Sequence, residues 1–397
     1  MPRSRYSVID LFSGCGGLSL GLYNSGWSGE FAIEKNTQAF ETLKFNLIEK
    51  KSHFQWPDWL PLSSHDINDV LKTYSSQLRQ LRGKVTLVAG GPPCQGFSMA
   101  GKREEKDHRN QLVFAYIKFV EIVRPKILIF ENVRGFASPF SKGSLPYAEI
   151  VINQLKKIGY QVDFQIVDFS EYGIPQKRKR FILVGMLNGD PSAFFKILES
   201  ERDVFLKEKG LERYSNAYDA ISDLLQSYGI HESPDRKGFY SGCYGKVHSA
   251  YQRLMRKSAK IRVGSVADSH SFAKHNVQTL ELFQKIILNA PSAVRLDGEE
   301  RLKWGIKKRG LTLLNPSLPV PTLTSHPDDF VHYSEPRILT VREYARLQSF
   351  PDWFQFKGKY TTGGQLRKVE VPRYTQIGNA VPPLFAEIVG RALKRAL

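Results

Sequence analysis

The sequence predicts an α/β fold: a mostly parallel, Rossmann-like sheet covered by helices, with a smaller second domain. Three observations lead there. Short apolar, β-branched runs alternate with amphipathic helical stretches through roughly the first 186 residues, the pattern of βαβ units. Two of these runs end in a reactive side chain, Cys94 after one and Glu131 after another, as expected where an open sheet builds its site beyond the strands' carboxyl ends. The chain has 397 residues, more than the ~250–300 that one core usually serves, which calls for a second domain.

Taken in order, Tyr6–Phe12 and Phe31–Glu34 read as strands, and Asn36–Ile48 as an amphipathic helix. Residues 51–66 hold two Trp and two Pro and read as irregular. Val85–Ala89 and Lys126–Phe130 are buried strands, a further strand ends near Asp168, and Arg180–Gly185 is the last. Leu112–Val123 and Tyr147–Ile158 are the helices between them. From about Asp190 to Glu335, clean periodicity fades while Arg, Lys, Gly, Tyr, Ser and His interleave. Arg337–Gln348 then reads as a short strand and a helix, and Gly363-Gly364 as a hairpin turn between Lys357–Thr361 and Gln365–Val371. Pro383–Leu397 is an amphipathic helix with proline in its first turn.

Composition bounds the partners. A net charge of +18 attracts polyanions and points first to nucleic acid. No run of about 18 apolar residues and no charged-then-apolar leader is present, so no membrane association is expected. Three cysteines are too few for a disulfide framework, and the scattered histidines form no pair at ligand spacing, so no metal is assigned. A reduced, cytoplasmic protein fits best.

Four groups of residues carry chemistry. Asp10-Leu-Phe12-Ser-Gly14-Cys-Gly16-Gly17-Leu18 follows the first strand as a glycine-rich turn, where a ligand can approach the backbone at a helix amino end. Glu34, ending the next strand, suits the two hydroxyls of a ribose. Pro92-Pro-Cys94-Gln95-Gly-Phe-Ser98 sets a thiol between rigid prolines and a flexible glycine; a buried structural cysteine is the plainer reading of a lone thiol. In Gln176-Lys-Arg178-Lys-Arg180, alternation along an extended segment puts Gln176, Arg178 and Arg180 on one side. Asn379 precedes the last helix.

Assembled in this order, the chain resembles the cytosine-5 DNA methyltransferases of bacterial restriction–modification systems. The resemblance runs from Asp10 to Pro383 and includes Phe12-Ser-Gly-Cys-Gly-Gly, Pro92-Pro-Cys94-Gln-Gly-Phe-Ser98, Glu131-Asn-Val133, Gln176-Lys-Arg178-Lys-Arg180, Arg337–Pro351 and Gly378-Asn379-Ala-Val-Pro-Pro383. Near the end of the less regular region, Pro321-Thr-Leu323-Thr looks like the family's Thr-Leu element. The resemblance implies a seven-stranded sheet of the S-adenosylmethionine-dependent methyltransferase type. Residues 1–186, completed by 374–397, would be the catalytic and cofactor-binding domain, and 187–373 a small target-recognition domain.

The cofactor so implied is S-adenosylmethionine, lined by Phe12, Gly14, Gly16, Gly17 and Leu18. Glu34 would hold its ribose and Asp66 its adenine, with Pro92, Leu112 and Asn379 completing the pocket. The Glu34-to-Asp66 spacing is longer than is usual for the family. Cys94, Glu131, Arg178 and Arg180 would be catalytic. Gln95 and Ser98, on a loop running to Arg109, would contact DNA together with Gln176, Arg178 and Arg180. The partner implied is double-stranded DNA, met by a monomer, with any cognate restriction endonuclease acting separately. Two other readings use the same residues: a tRNA cytosine-5 methyltransferase of this fold, and a catalytically silent DNA-binding protein.

Overall fold

The computed structural model describes residues 6–93, 111–139, 145–307, 310–362, 366 and 370–397. The expected loop from Gln95 to Arg109, with Cys94, Gln95 and Ser98, and the turn at Gly363-Gly364 lie outside the described residues. Two compact units form, one from Met1–Phe169, Lys179–Phe205 and Pro383–Leu397, the other from Ser170–Arg178 and Leu206–Pro382.

The first unit is built on a sheet of β1 (Ser7–Leu11), β2 (Ser28–Ile33), β3 (Leu87–Gly90), β4 (Ile127–Val133), β5 (Gln161–Asp168) and β6 (Lys179–Met186), in the order β2-β1-β3-β4-β6-β5. The first four strands run parallel, and β6 is antiparallel to both its neighbours. Every residue of β1 and β3 is buried, as befits strands covered on both faces. Helix α1 (Gly17–Asn24) follows β1, α2 (Thr37–Leu43) follows β2, and α3 (Ile67–Thr73) and α4 (Ser75–Gln80) precede β3. Helix α5 (Gln111–Val123) precedes β4, and α6 (Tyr147–Lys157) precedes β5. On α5, Val113, Tyr116, Ile117 and Val120 make the i, i+3, i+4, i+7 stripe that faces the core.

Register aligns the strands' carboxyl ends. Leu11 lies opposite both Ile33 and Gly90, and Gly90 opposite Phe130. The residues that leave β1, β2, β3 and β4 therefore emerge along one edge, where open sheets place ligands.

Six strands rather than seven are found in this sheet among the described residues. Residues 51–66 contribute only an isolated bridge, Gly29 to Phe54. Their prolines, Pro57 and Pro61, cannot donate to a ladder and suit irregular backbone. The helix expected over Asn36–Ile48 is capped by Asn36, which accepts from the Ala39 N–H at 3.1 Å, and widens to a π-helix over Lys44–Glu49.

The terminal helix Pro383–Arg395 packs on α1 in the same unit. A Cβ at Gly21 would stand 2.3 Å from Ala386 Cβ, so only glycine allows this approach. Trp27 Nε1 donates to Gly390 O at 2.9 Å, and Phe169 stacks on Phe385 with centroids 4.0 Å apart.

The second unit holds two small sheets: β7 (Ile230–Glu232), β8 (Tyr240–Cys243) and β9 (Val266–Ser271), then β10 (Arg295–Asp297), β11 (Gly310–Leu313) and β12 (Phe330–Val331). Its core centres on the helix Val341–Leu347, started by a capping box of Thr340 and Glu343. Three buried arginines, Arg337 ahead of the helix and Arg342 and Arg346 on it, are each paired with carboxylates. The strand expected ahead of this helix is only a bridge between Ile338 and Val331, and Lys357–Thr361 is irregular rather than extended.

Candidate active site

The glycine-rich turn takes the backbone that its sequence demands. Phe12, Gly14 and Gly16 all have positive φ, at 57°, 54° and 92°. For Phe12 this left-handed conformation costs about 1–3 kcal/mol, a strain that accumulates at functional sites. Glu34 closes the turn from β2: its Oε2 accepts the Gly14 N–H at 2.9 Å and its Oε1 the Asn36 N–H at 2.7 Å. Burial pushes the Glu34 carboxyl above its ordinary range. Gly17 and Leu18 form the buried first turn of α1, and Gly14 faces open space.

Asp10, at the end of β1, accepts from Ser19 Oγ on α1 and so ties the two ends of this turn together. Burial raises its carboxyl to about 7. Asp10 Oδ1 and Ser13 Oγ are buried without hydrogen-bond partners among the described residues. Such orphaned polar atoms at the rim of an open turn fit a polar ligand lying against the backbone. Burial also lifts the Cys15 thiol to about 12, which leaves it protonated and unreactive near neutrality.

Asp66 is brought beside Glu34. The His65 N–H donates to Glu34 O at 2.8 Å, Lys35 pairs with Asp66 at 2.9 Å, and Asp66 caps α3 through the Asn68 N–H. Burial raises the Asp66 carboxyl, but Lys35 and the Asn68 amide outweigh it and bring it below its ordinary value. Leu112, in the first turn of α5, packs on the same core, and Pro92 is buried with its carbonyl accepting from Asn132 Nδ2 at 3.2 Å.

Glu131 and Arg180 form the second cluster of this unit. Arg180 lies opposite Val133 in the antiparallel ladder, which puts it diagonally across from Glu131 on the same face. Arg180 Nε pairs with the Glu131 carboxylate, 3.1 Å from its Oε1. The other oxygen, Oε2, lies against Gly91, where an added Cβ would come within 2.9 Å of it. Gly91 is thus shaped around the carboxylate, and Cys94 follows it by three residues.

The second unit holds Gln176, Arg178 and Asn379. Gln176 is fully buried: its Nε2 donates to Gln348 Oε1 at 2.9 Å, and its Oε1 accepts the Leu323 N–H at 3.0 Å. Both ends of this amide, expected to meet DNA, are engaged inside the protein. Its place is to hold the Thr-Leu element, whose Thr322 Oγ1 also donates to Lys177 O at 2.7 Å. Arg178 is buried beside Leu323 O, 3.5 Å from its Nη1. Asn379 is the exposed last residue of the helix Arg373–Asn379. Sequence reasoning missed Gly91, Gln348 and the Asp10–Ser19 link. Only Gly91 left a signal, as a second glycine that strand propensity does not explain.

A model of the family described as C-5 cytosine-specific DNA methylase matches residues 6–395. Type II methyltransferase M.DdeI of Desulfomicrobium norvegicum is 31% identical, over 98% of this chain and 88% of that protein. Type II methyltransferase M.PspPI of a Psychrobacter species is 31% identical, over 100% of this chain and 80% of its own length. A solved E. coli prophage DNA modification methyltransferase superposes with a TM-score of 0.66 at 24% identity, covering 98% of this chain and 99% of that one, and shares its fold. With a mostly parallel sheet, a glycine-rich turn sealed by a carboxylate and a Glu–Arg pair at the strand ends, the chain belongs to the C-5 cytosine-specific DNA methylase family.

Proposed function

We propose that this protein methylates carbon 5 of a cytosine flipped out of a specific duplex DNA sequence, with S-adenosylmethionine as donor, and that it protects host DNA in a restriction–modification system. The observation that carries this reading is the Glu131–Arg180 pair, set beside Gly91 at the head of the segment leading to Cys94.

The residues present fit the donor. Phe12, Gly14, Gly16, Gly17 and Leu18 would line it and Glu34 would bind its ribose, with Asp66 at the adenine and Pro92, Leu112 and Asn379 around it. When bound, it supplies an electrophilic methyl group. Glu34 already accepts from the turn's own amide, so it fixes the backbone as well as facing the ligand.

The chemistry on the base belongs to the side chains. Extruding a cytosine costs about a few kcal/mol and exposes its edge. The Cys94 thiolate adds to carbon 6, while a proton on Glu131 hydrogen-bonds ring nitrogen 3 and makes carbon 5 electron-rich. Arg180, locked to Glu131, steadies that carboxyl and, with Arg178, the negative charge developing on the ring. After methylation, water takes the carbon-5 proton, the C–H electron pair re-forms the carbon 5–carbon 6 double bond, and the carbon 6–sulfur bond breaks to release Cys94 as thiolate. Gln95 and Ser98 contact the DNA, and the second unit selects the target.

The test is incubation of the purified protein and S-adenosylmethionine with duplex DNA and, separately, with tRNA, followed by bisulfite sequencing. Methylated cytosine in one DNA context is expected. Methylation of tRNA alone would transfer the reading to RNA, and binding of DNA without methylation would reduce the protein to a silent binder.

A further inference from the structure

Several buried arginines of the second unit are held by carboxylates: Arg337 by Glu335 and Glu343, Arg346 by Asp223 and Asp352, Arg373 by Asp235. Arg236 is different. It sits in the loop between β7 and β8, with its guanidinium carbon 3.5 Å from the Phe239 ring centroid and 4.9 Å from that of Tyr360. Among the described residues, no carboxylate or carbonyl accepts a hydrogen bond from its side chain. The neighbouring Asp235 is already taken, by Arg373 and by the Tyr360 hydroxyl at 2.8 Å.

The loop that carries Arg236 is fixed. The Ser233 N–H donates to Phe239 O at 2.8 Å, and the Phe239 N–H to Arg236 O at 3.1 Å. Lys274 Nζ lies 4.9 Å from the same Phe239 ring, so two cations flank one aromatic ring. Burial draws the Arg236 guanidinium below its ordinary value, a sign that its charge is poorly hydrated, and the nearby Asp235 offsets this only in part.

A planar fork of five donors, held on aromatic rings and left without an acceptor, is prepared for an external one. A phosphate needs only a nearby positive charge, which Lys274 supplies as a mobile point charge. A guanidinium held in one plane suits two acceptors set side by side, as on the major-groove edge of guanine.

We propose that Arg236 reads one guanine of the recognition sequence, donating in bidentate fashion to its O6 and N7. The inference rests on the proposed DNA methylation and adds a residue that sets its specificity. The pairing also explains why the loop is anchored through Asp235: a base reader must arrive in a fixed orientation.

The test uses the full-length protein and its Arg236→Lys and Arg236→Ala variants on a duplex library randomised around a central cytosine, with bisulfite sequencing of the products. Preference among sequences is a ratio within each protein, so a partly unfolded fraction leaves it unchanged. The wild type is expected to require guanine at one position, and both variants to lose that requirement by about ten- to a hundredfold while keeping the others. An unchanged preference at every position would overturn the proposal. So would a uniform loss across all sequences with a salt dependence lower by about one, the mark of a phosphate contact. If the wild type methylates no member of the library, the proposed function falls and this inference falls with it.

Discussion

Arg180 Nε lies 3.1 Å from Glu131 Oε1, an ion pair between the start of one strand and the carboxyl-terminal half of its antiparallel neighbour. The pair is made by register: with Val133 opposite Arg180, the alternation of side chains leaves Glu131 on the same face and one step away. The Glu131 carboxyl is thereby oriented by the sheet itself.

Arg180→Ala should therefore cost activity and spare the fold. A partly exposed ion pair is worth about 0–1 kcal/mol to stability, whereas loss of a preorganised charge at the reacting ring costs about a hundred- to a thousandfold in rate. Single-turnover methylation and a thermal melt on the same preparation measure both. A rate within threefold of wild type would remove Arg180 from the mechanism.

Gly91 offers a steric version of the same test. A methyl at this position would stand 2.9 Å from Glu131 Oε2 and push the carboxylate aside. Gly91→Ala is expected to slow methyl transfer by about tenfold or more, since small misplacements are costly at a reacting centre, with DNA affinity little changed in a filter-binding titration. Equal rates for variant and parent would mean that Glu131 tolerates displacement.

Asp10 gives a pH signature. Its carboxyl is raised to about 7 in the folded protein from 3.8, chiefly by burial. The folded state then holds more protons than the unfolded state between those two values, so the group's contribution is complete below pH 4 and is lost as pH rises through 7. That difference corresponds to about 4 kcal/mol. Asp10→Asn, which mimics the neutral acid, should gain melting temperature relative to wild type as pH goes from 5 to 8. A difference between the two proteins that stays constant across that range would contradict the raised value.

In the second unit, Glu343 accepts from Arg337 at 2.7 and 2.8 Å with both side chains buried. Burial raises the Glu343 carboxyl, but Arg337 overcomes it and brings it down to about 2. Glu343→Gln leaves a buried guanidinium undercompensated and should cost about 3–5 kcal/mol in urea unfolding. A loss under 1 kcal/mol would show that Glu335 alone satisfies Arg337.

Much of the catalytic unit was legible because its signals are local. β3 and the first four residues of β4 are apolar runs and β1 is mostly apolar; the glycine-rich turn follows β1 directly, and Glu131 follows the apolar run of β4. What was not legible depends on partners distant in sequence. Residues 51–66 pair with β2 only through the bridge between Phe54 and Gly29, and the internal partners of Gln176, Gln348 and Leu323, lie more than 140 residues away. In the second unit, strands of two to six residues are too short to show a period, and its helix Val341–Leu347 buries charged residues through pairs that no hydropathy pattern can reveal.

The central claim is that Cys94 attacks carbon 6 of an extruded cytosine. Duplex DNA carrying 5-fluorocytosine at the target position blocks the final proton loss and should trap the adduct. With S-adenosylmethionine, wild-type protein is expected to yield a denaturant-stable protein–DNA complex whose cross-linked peptide contains Cys94, and Cys94→Ala to yield neither complex nor methylated product. An active wild type that forms no such complex, or a Cys94→Ala variant that still methylates DNA, would contradict the account.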